Sequence, residues 1–178
     1  MTETVRVMIP EDEIDAKIRE LGEKISADRD GKPLMMICIL KGSCFFACEL
    51  AKRITVPVTM DFMAVSSYGN KTESTGRVKI LKDVDEPVLG RDVMIVEDII
   101  DSGRTLSFLY DLFLRRGAAS VKICTLLDKP ARRAADVPVD YTGFVIPDEF
   151  VVGYGLDYAQ RYRNLPFIGT LHFLEEVQ

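Results

Sequence analysis

The chain contains no tryptophan, one histidine and four cysteines among its 178 residues. The histidine, His172, has no serine or cysteine nucleophile motif near it in the sequence, so a histidine-dependent catalytic triad is not expected and His172 is interpreted as structural. Cys44 and Cys48 are spaced for one helical face, but no second pair completes a zinc site. The cysteines, which also include Cys38 and Cys124, are therefore interpreted as buried free thiols.

Long apolar runs and an excess of positive charge are also missing. No stretch approaches the length of a membrane span, and the first residues lack a signal-peptide layout, so a cytoplasmic protein is expected. The net charge of −5 argues against general nucleic-acid binding, although a local basic groove could still exist. No repeat or linker divides the chain, which predicts a single domain over residues 1–178.

Residues 93–106 carry the most informative pattern. The apolar run Val93–Val96 predicts a buried strand, and the spacing of Leu106, Leu109 and Phe113 predicts one face of a helix. Between them lies a polar turn, in which Gly103 is free to adopt a positive φ. A strand, a turn and a helix start in this order present backbone N–H groups to an anion, most often a phosphate.

Three carboxylates, Glu97, Asp98 and Asp101, accompany this predicted phosphate site. Acids repel a bound phosphate unless they hold sugar hydroxyls, bind a divalent cation or act as a general base. The chain has no G-x-x-x-x-G-K-[ST] sequence, so the turn is not a Walker A loop. The alternative is a capped turn between a strand and a helix whose acids are merely solvated.

The rest of the chain alternates between strand and helix patterns, which predicts an α/β fold with a mainly parallel central sheet. An amphipathic helix is predicted from Pro10 onward and a second over 44–54, and a short helical turn is predicted after Tyr158. In the predicted strand over 56–65, the residues Val58, Met60, Phe62 and Ala64 are expected to form one buried face. Ligands of such folds bind at the carboxyl ends of the strands.

Several further residues follow predicted strands and have a plain structural alternative. Lys41 and Lys129 fit either a ligand at the sheet edge or an exposed turn, and Arg132 and Arg133 fit a solvated basic turn equally well. Phe150 fits either a core position or a flat surface for a base. The polar segment 66–77 is longer than a hairpin needs and is interpreted as either a flexible connection or a lid.

Residues 96–105, which read VEDIIDSGRT, resemble the phosphoribosyl-diphosphate-binding motif of the type I phosphoribosyltransferases, and most closely that of the hypoxanthine-guanine branch. The resemblance extends over about residues 5–170 and includes separate loops at 40–43, 67–68 and 129–163 in the expected order. It implies the fold of that family, in which helices flank a mainly parallel sheet beside a small hood and a flexible closing loop.

The resemblance also implies the reaction and the residues that perform it. A 6-oxopurine and phosphoribosyl diphosphate would give a nucleoside 5′-monophosphate and pyrophosphate in purine salvage, with Mg²⁺ as the cofactor and Asp101 as the general base. The phosphoribosyl diphosphate would be bound by Lys41, Gly42, Glu97, Asp98, Asp101, Ser102, Gly103, Arg104, Thr105 and Arg163. The purine would be bound by Lys129, Phe150, Val151 and Asp157. The metal would be bound by Glu97, Asp98 and Asp157, and the closing loop would contain Ser67 and Tyr68.

The same resemblance implies a homodimer or homotetramer, and it leaves open whether the backbone before Gly42 contains a cis bond. Two alternatives of function remain at this point. One is a related enzyme that acts on orotate or adenine, and the other is an RNA-binding regulator with the same fold that senses nucleotides.

Overall fold

A computed structural model of the chain describes residues 2–68 and 77–174. The elements, in chain order, are β1 (Thr2–Ile9), α1 (Glu11–Arg29), β2 (Leu34–Leu40), α2 (Cys44–Ala51), β3 (Val58–Tyr68), β4 (Arg77–Lys82), β5 (Asp92–Ile100), α3 (Arg104–Arg115), β6 (Ser120–Asp128), a short 3₁₀ turn (Pro130–Arg132), β7 (Tyr141–Val145), β8 (Val151–Val152) and β9 (Ile168–Leu174).

The central sheet has the strand order β4-β3-β2-β5-β6-β7. β3, β2, β5, β6 and β7 are parallel to their neighbours, and β4 is an antiparallel edge strand that pairs with β3. β2 is buried along almost its whole length, as expected for a strand that is covered on both faces. The predicted α/β fold with a mainly parallel sheet is thus confirmed.

The helices cover the two faces of this sheet and build two apolar clusters. The predicted stripe of α1, formed by Ile14, Ile18, Leu21 and Ile25, is fully buried in the cluster shared with α2. Leu106, Leu109 and Phe113 of α3 are buried in the cluster on the other face. Burial of each such side chain contributes about 1.5–3 kcal/mol relative to exposure. The core therefore fixes the positions at which the strands end.

Two expectations about β3 and the cysteines need correction. Met60 is exposed, whereas Asp61 and Met63, which point to the other face, are deeply buried. Met63 packs in the apolar cluster of α3, and Asp61 accepts hydrogen bonds from the backbone N–H groups of Asp85 and Glu86. All four cysteines are free, but Cys48 lies on the exposed side of α2 and Cys44 is only half-buried, so two of the four are not buried. Burial raises the pKa of the Cys38 thiol to about 12, and it raises that of Cys124 as well.

A second, antiparallel sheet of three strands in the order β1-β9-β8 forms the hood. β1 was not predicted as a strand. What makes it a strand is its pairing with β9 at the other end of the chain, for example of Thr4 with His172, and this pairing leaves no local pattern in the sequence. The predicted helical turn after Tyr158 was wrong, since residues 158–161 form a tight turn closed by a β-bridge. His172 lies on β9, with Nε2 2.9 Å from the Thr170 hydroxyl.

No helix within the described residues combines the length and the apolar character needed to cross a membrane.

Candidate active site

The loops that follow β2, β5 and β6 meet at one edge of the central sheet, which is called the carboxyl edge below. The turn after β5 forms a pocket of about 230 Å³ there. The pocket is lined by Glu97, Ile99, Ile100, Asp101, Ser102, Gly103, Thr105 and Leu106. The local sequence pattern of residues 93–106 therefore places a strand end, a turn and a helix start as expected.

Gly103 makes the tight approach of the turn to its neighbours possible. Its φ of +77° is left-handed, and a Cβ added there would lie 3.0 Å from the Ala135 carbonyl oxygen. The carbonyl oxygen of Ser102 accepts hydrogen bonds from the N–H groups of Ala134 and Ala135, which hold the turn in place. The first N–H groups of a helix have no intrahelical partners, so the start of α3 is suited to an anion.

Asp101 has two carboxylate oxygens in different environments. Oδ2 lies 3.5 Å from Nη1 of Arg132 in a weak ion pair, with 44% of the Asp101 side chain exposed. Oδ1 is buried and accepts no hydrogen bond from any residue that the structure describes. A buried carboxylate oxygen without a donor is unusual, and it is available to accept a proton from a ligand.

Glu97 and Asp98 form a crowded acidic pair at the end of β5. Loss of hydration, together with repulsion from Asp98, raises the pKa of Glu97 well above its usual range. Loss of hydration also raises the pKa of Asp98, while the nearby Arg163 acts in the opposite direction. A bound cation or hydrogen bonds from hydroxyl groups would therefore stabilise the charged form of both carboxylates.

The loop after β2 passes directly over this acidic pair. A Cβ at Gly42 would lie 1.6 Å from Oδ2 of Asp98, so the approach requires glycine. The Leu40–Lys41 peptide bond is cis, which the sequence left open. The absence of a side chain at Gly42 thus lets the loop after β2 lie directly against Asp98 at the end of β5.

Asp157 and Arg163 lie in the segment between β8 and β9 and are joined by an ion pair of 2.7 Å. Arg163 also donates a hydrogen bond to the Gly155 carbonyl oxygen at 2.6 Å. Oε1 of Gln160 lies 3.4 Å from Nζ of Lys41 and 3.5 Å from Nη2 of Arg163. Two cations that are distant in the sequence are thereby brought to the same place.

Lys129, at the end of β6, is nearly buried, with 6% of its surface exposed. Its Nζ donates a hydrogen bond to the carbonyl oxygen of Glu149 at 2.5 Å, which excludes the interpretation as a solvated turn residue. Phe150 follows Glu149 and is 53% exposed, so it is not a core residue. Val151 begins β8 and is buried in the apolar cluster shared with α1 and α2. The hydrogen bond to Glu149 therefore places Lys129 next to the residue that precedes the exposed Phe150.

Sequence reasoning left Arg132 and Arg133 undecided, and the structure places both at this site. Arg133 forms an ion pair of 2.5 Å with Asp128 and donates a hydrogen bond to the Asp101 carbonyl oxygen at 3.3 Å. Arg132 lies between the carboxylates of Asp101 and Asp148. Their position directly after the carboxyl end of a strand was the signal that could have identified them.

Two predicted features stay predictions. Ser67 and Tyr68 end β3, but residues 69–76 of the predicted closing loop lie outside the described residues. Within the ranges 2–68 and 77–174, no group of three or more His, Cys, Asp or Glu side chains is arranged to hold a metal ion. Glu97 and Asp98 are adjacent, whereas Asp157 is paired with Arg163.

Several known proteins are similar to this chain in both sequence and architecture. The bifunctional protein TilS/HprT of Listeria innocua is 59% identical over 166 residues, which are 93% of this chain but 26% of that protein, so the chain spans about a quarter of its length. The hypoxanthine phosphoribosyltransferase of Salmonella typhimurium is 53% identical over 178 residues, 99% of this chain and 100% of that protein. A crystal structure of a hypoxanthine phosphoribosyltransferase from Staphylococcus aureus is 50% identical, with a TM-score of 0.91 over 94% of this chain and 91% of that one.

The profile of the phosphoribosyl transferase domain matches residues 10–159, which include the turn after β5 and the loops after β2 and β6. The chain belongs to the phosphoribosyltransferase family.

Proposed function

We propose that the chain is a purine-salvage enzyme that transfers the 5-phosphoribosyl group from phosphoribosyl diphosphate to N9 of hypoxanthine, and of guanine, giving IMP or GMP and pyrophosphate. The observation that carries the proposal is the turn after β5, in which Asp101 keeps an unpartnered carboxylate oxygen beside the helix start of an anion site. A general base and a phosphate cradle within one turn suit a reaction that deprotonates a base next to a phosphorylated sugar.

The 5′-phosphate is assigned to the turn after β5. The backbone N–H groups and hydroxyls of Ser102, Gly103, Arg104 and Thr105 supply donors at the positive end of the α3 dipole. Fixing the phosphate there holds the ribose near Glu97 and Asp98, whose carboxylates accept hydrogen bonds from its hydroxyl groups.

The diphosphate is assigned to Lys41, the backbone of Gly42, and Arg163. The approach of Lys41 and Arg163 to the same oxygen of Gln160 supports this role, because an anionic oxygen in that place would meet both cations. Charge neutralisation of pyrophosphate as it leaves favours cleavage of its bond to C1′.

A magnesium ion fits this donor set as a partner of the substrate. Mg²⁺ prefers oxygen ligands and commonly binds through one or two carboxylates together with substrate phosphates. Glu97, Asp98 and Asp157 would supply carboxylate oxygens, and the raised pKa of the adjacent pair is what a cation would relieve. When bound, Mg²⁺ would neutralise charge on the leaving diphosphate.

The purine is assigned to the space beside Lys129. Phe150 stacks on the ring, Val151 offers backbone groups to its edge with Asp157 near by, and Nζ of Lys129 donates to O6. Asp101 accepts the proton from N7 at Oδ1 while N9 forms its bond to C1′. The electron pair of the C1′–O bond leaves with pyrophosphate, through an oxocarbenium-like state from which the loop with Ser67 and Tyr68 excludes water.

The proposal extends to the state of the protein. We propose one domain over residues 1–178 that works in the cytoplasm as a homodimer or homotetramer, with small molecules as its partners rather than nucleic acid or membrane. The free state of all four cysteines is in keeping with a reducing compartment.

One assay tests the proposed function most directly. Purified protein is incubated with phosphoribosyl diphosphate, Mg²⁺ and each of hypoxanthine, guanine, xanthine, adenine and orotate, and the nucleotide products are identified. IMP and GMP are expected, whereas products from adenine or orotate alone would assign the chain to another branch. If no base gave a product and the protein retained RNA on a filter, the chain would be assigned as an RNA-binding regulator instead of an enzyme.

A second test addresses the metal. Turnover should stop in excess EDTA and return when Mg²⁺ is added, because clustered carboxylates face a polyanionic substrate. Full turnover in EDTA would contradict the assignment of Mg²⁺.

A further inference from the structure

The segment that follows the proposed purine site contains a strained turn. Tyr158 and Arg161 pair with each other across it, with N–O distances of 3.2 and 3.0 Å. The two central residues, Ala159 and Gln160, have φ values of +50° and +66°, as in a type I′ turn. Such a turn favours Gly, Asn or Asp at both positions, so Ala and Gln must be held there by surrounding contacts.

Glu3 of β1 supplies such contacts. Its Oε1 lies 2.7 Å from Nη2 of Arg161, and its Oε2 accepts a hydrogen bond of 2.5 Å from the Tyr162 hydroxyl. These two contacts, the Tyr162 hydroxyl first, lower the pKa of Glu3, so the residue is a carboxylate at neutral pH. Tyr162 also has a positive φ, of +76°, so Glu3 contacts two residues of the strained segment.

Arg161 transmits this contact to the aromatic side chains beside it. Its guanidinium lies over the rings of Tyr158 and Tyr162, at 5.8 and 5.4 Å from their centroids. The Tyr158 ring in turn packs edge to face with the Phe150 ring, with ring centroids 5.8 Å apart and an interplanar angle of 88°. A continuous series of contacts thus connects Glu3 at one end of the chain with the exposed ring of Phe150.

We propose that Glu3 is a positioning residue for the purine, which acts through Arg161 and Tyr158 to fix the orientation of the Phe150 ring. This inference rests on the proposed function, in which that ring stacks on the base. Glu3 lies outside residues 10–159, the part of the chain matched by the family profile, so the hood would contribute to the choice and affinity of the base from beyond that segment. A half-exposed ring has few neighbours to fix it, which makes the contact with Tyr158 important.

The test compares Glu3→Gln and Arg161→Ala with the wild type. The KM for hypoxanthine should rise about fivefold in both, as expected for loss of a partly exposed charged contact, while kcat and the KM for phosphoribosyl diphosphate change less than about twofold. Arg161→Lys, which keeps a cation near Glu3, should restore part of the affinity. Glu20→Gln, which removes a similarly short ion pair with Lys17 within α1, is the matched control and should leave all three constants unchanged.

A second measurement separates positioning from a general loss of stability. In the ligand-free protein, the amide hydrogens of Gln160 and Arg161 should exchange faster in Glu3→Gln than in the wild type or Glu20→Gln, whereas those of β2 and β5 should not. An active wild type with an unchanged purine KM in Glu3→Gln would overturn the positioning role alone. A fall in kcat and melting temperature at constant KM would also overturn it, and a wild type without transferase activity would overturn the proposed function.

Discussion

The two edges of the central parallel sheet carry pockets of very different character. At the amino edge, where β2, β3 and β5 begin, the pocket has a volume of about 410 Å³, against about 230 Å³ at the carboxyl edge. It is lined by Lys32, Pro33, Leu34, Met35, Thr59, Gly90, Arg91 and Asp92. The larger pocket is nevertheless the less reactive one, because of how its polar groups are partnered.

Arg29 and Asp92 illustrate the amino edge. Nη2 of the nearly buried Arg29 lies 2.6 Å from Asp92 and donates to the Pro33 carbonyl oxygen at 2.8 Å. The Ser120 hydroxyl first, and Arg29 second, lower the pKa of Asp92. At the carboxyl edge, by contrast, Oδ1 of Asp101 has no partner among the described residues, and burial, together with repulsion from Asp98, raises the pKa of Glu97. Buried polar groups without partners, rather than a large pocket volume, therefore indicate which edge of the sheet binds a ligand.

Replacement of Asp101 by Asn should produce the largest effect of the proposed substitutions. It should lower activity without lowering stability, which would distinguish the carboxyl edge from the amino edge. The shape of the turn is kept, but the side chain can no longer accept the purine proton, so kcat should fall by about 10²–10⁴-fold. Affinity for phosphoribosyl diphosphate, measured by isothermal titration calorimetry, should change little, since the backbone N–H groups remain. The free energy of unfolding should change by less than about 0.5 kcal/mol, as for other exposed sites.

Asp111→Asn on the exposed side of α3 is the matched control and should leave kcat unaltered. The assignment of the base would be wrong if Asp101→Asn kept a near-normal kcat while Asp98→Asn abolished turnover.

Lys129→Met should come next in size. The substitution keeps a similar volume but removes the donor to O6, so the KM for hypoxanthine should rise about 10- to 100-fold and the preference for 6-oxo over 6-amino purines should weaken. Steady-state kinetics with hypoxanthine and adenine measure both quantities. Lys129→Gln keeps an N–H donor and should retain more of the preference, while equal discrimination in Lys129→Met and the wild type would remove Lys129 from base recognition.

The contrast between the edges also explains how far the sequence could predict this protein. The turn after β5 was predictable because its signals are local, in the buried run before Glu97, the glycine at 103 and the apolar stripe of α3. The parallel sheet followed from the alternation of elements, and with it the carboxyl edge as the place for a ligand.

What the sequence could not supply depends on tertiary contact. The approach of Lys41 to Gln160 and the ion pair of Glu3 with Arg161 join residues far apart in the chain. The exposure of Phe150 likewise depends on which parts of the chain cover it in the folded protein. The cis bond at Leu40–Lys41 has no sequence signal comparable to proline. The resemblance implied a hood but did not indicate which residues form it, so the strand β1 and its contacts were missed.

Asp92→Asn should have the opposite effect to Asp101→Asn, lowering stability but not activity. It leaves the nearly buried Arg29 without its carboxylate, and it should lower the free energy of unfolding by about 2 kcal/mol at pH 7, less than for a fully buried pair. The kinetic constants at 25 °C should stay those of the wild type, because the amino edge contacts no substrate in the proposed function. Urea unfolding measures the first quantity, and Glu20→Gln, at an exposed pair, should lose no more than about 0.5 kcal/mol.

The smallest expected effect is the dependence of that difference on pH. The folded-state pKa of Asp92 is below its unfolded value of about 3.9, so the folded protein binds the proton less readily than the unfolded chain does. The stability that this carboxylate contributes is therefore fully present above the unfolded pKa and is lost as the pH falls through the folded pKa. Asp92→Asn has no such group to titrate, so its deficit relative to the wild type should be constant from pH 7 to about pH 5 and should shrink below about pH 4. Urea unfolding of both proteins over this range measures the deficit directly. If the deficit instead stayed constant down to the lowest pH measured, the packing of the Asp92 side chain would stabilise the amino edge, and the interactions of its charged carboxylate with Arg29 and Ser120 would not.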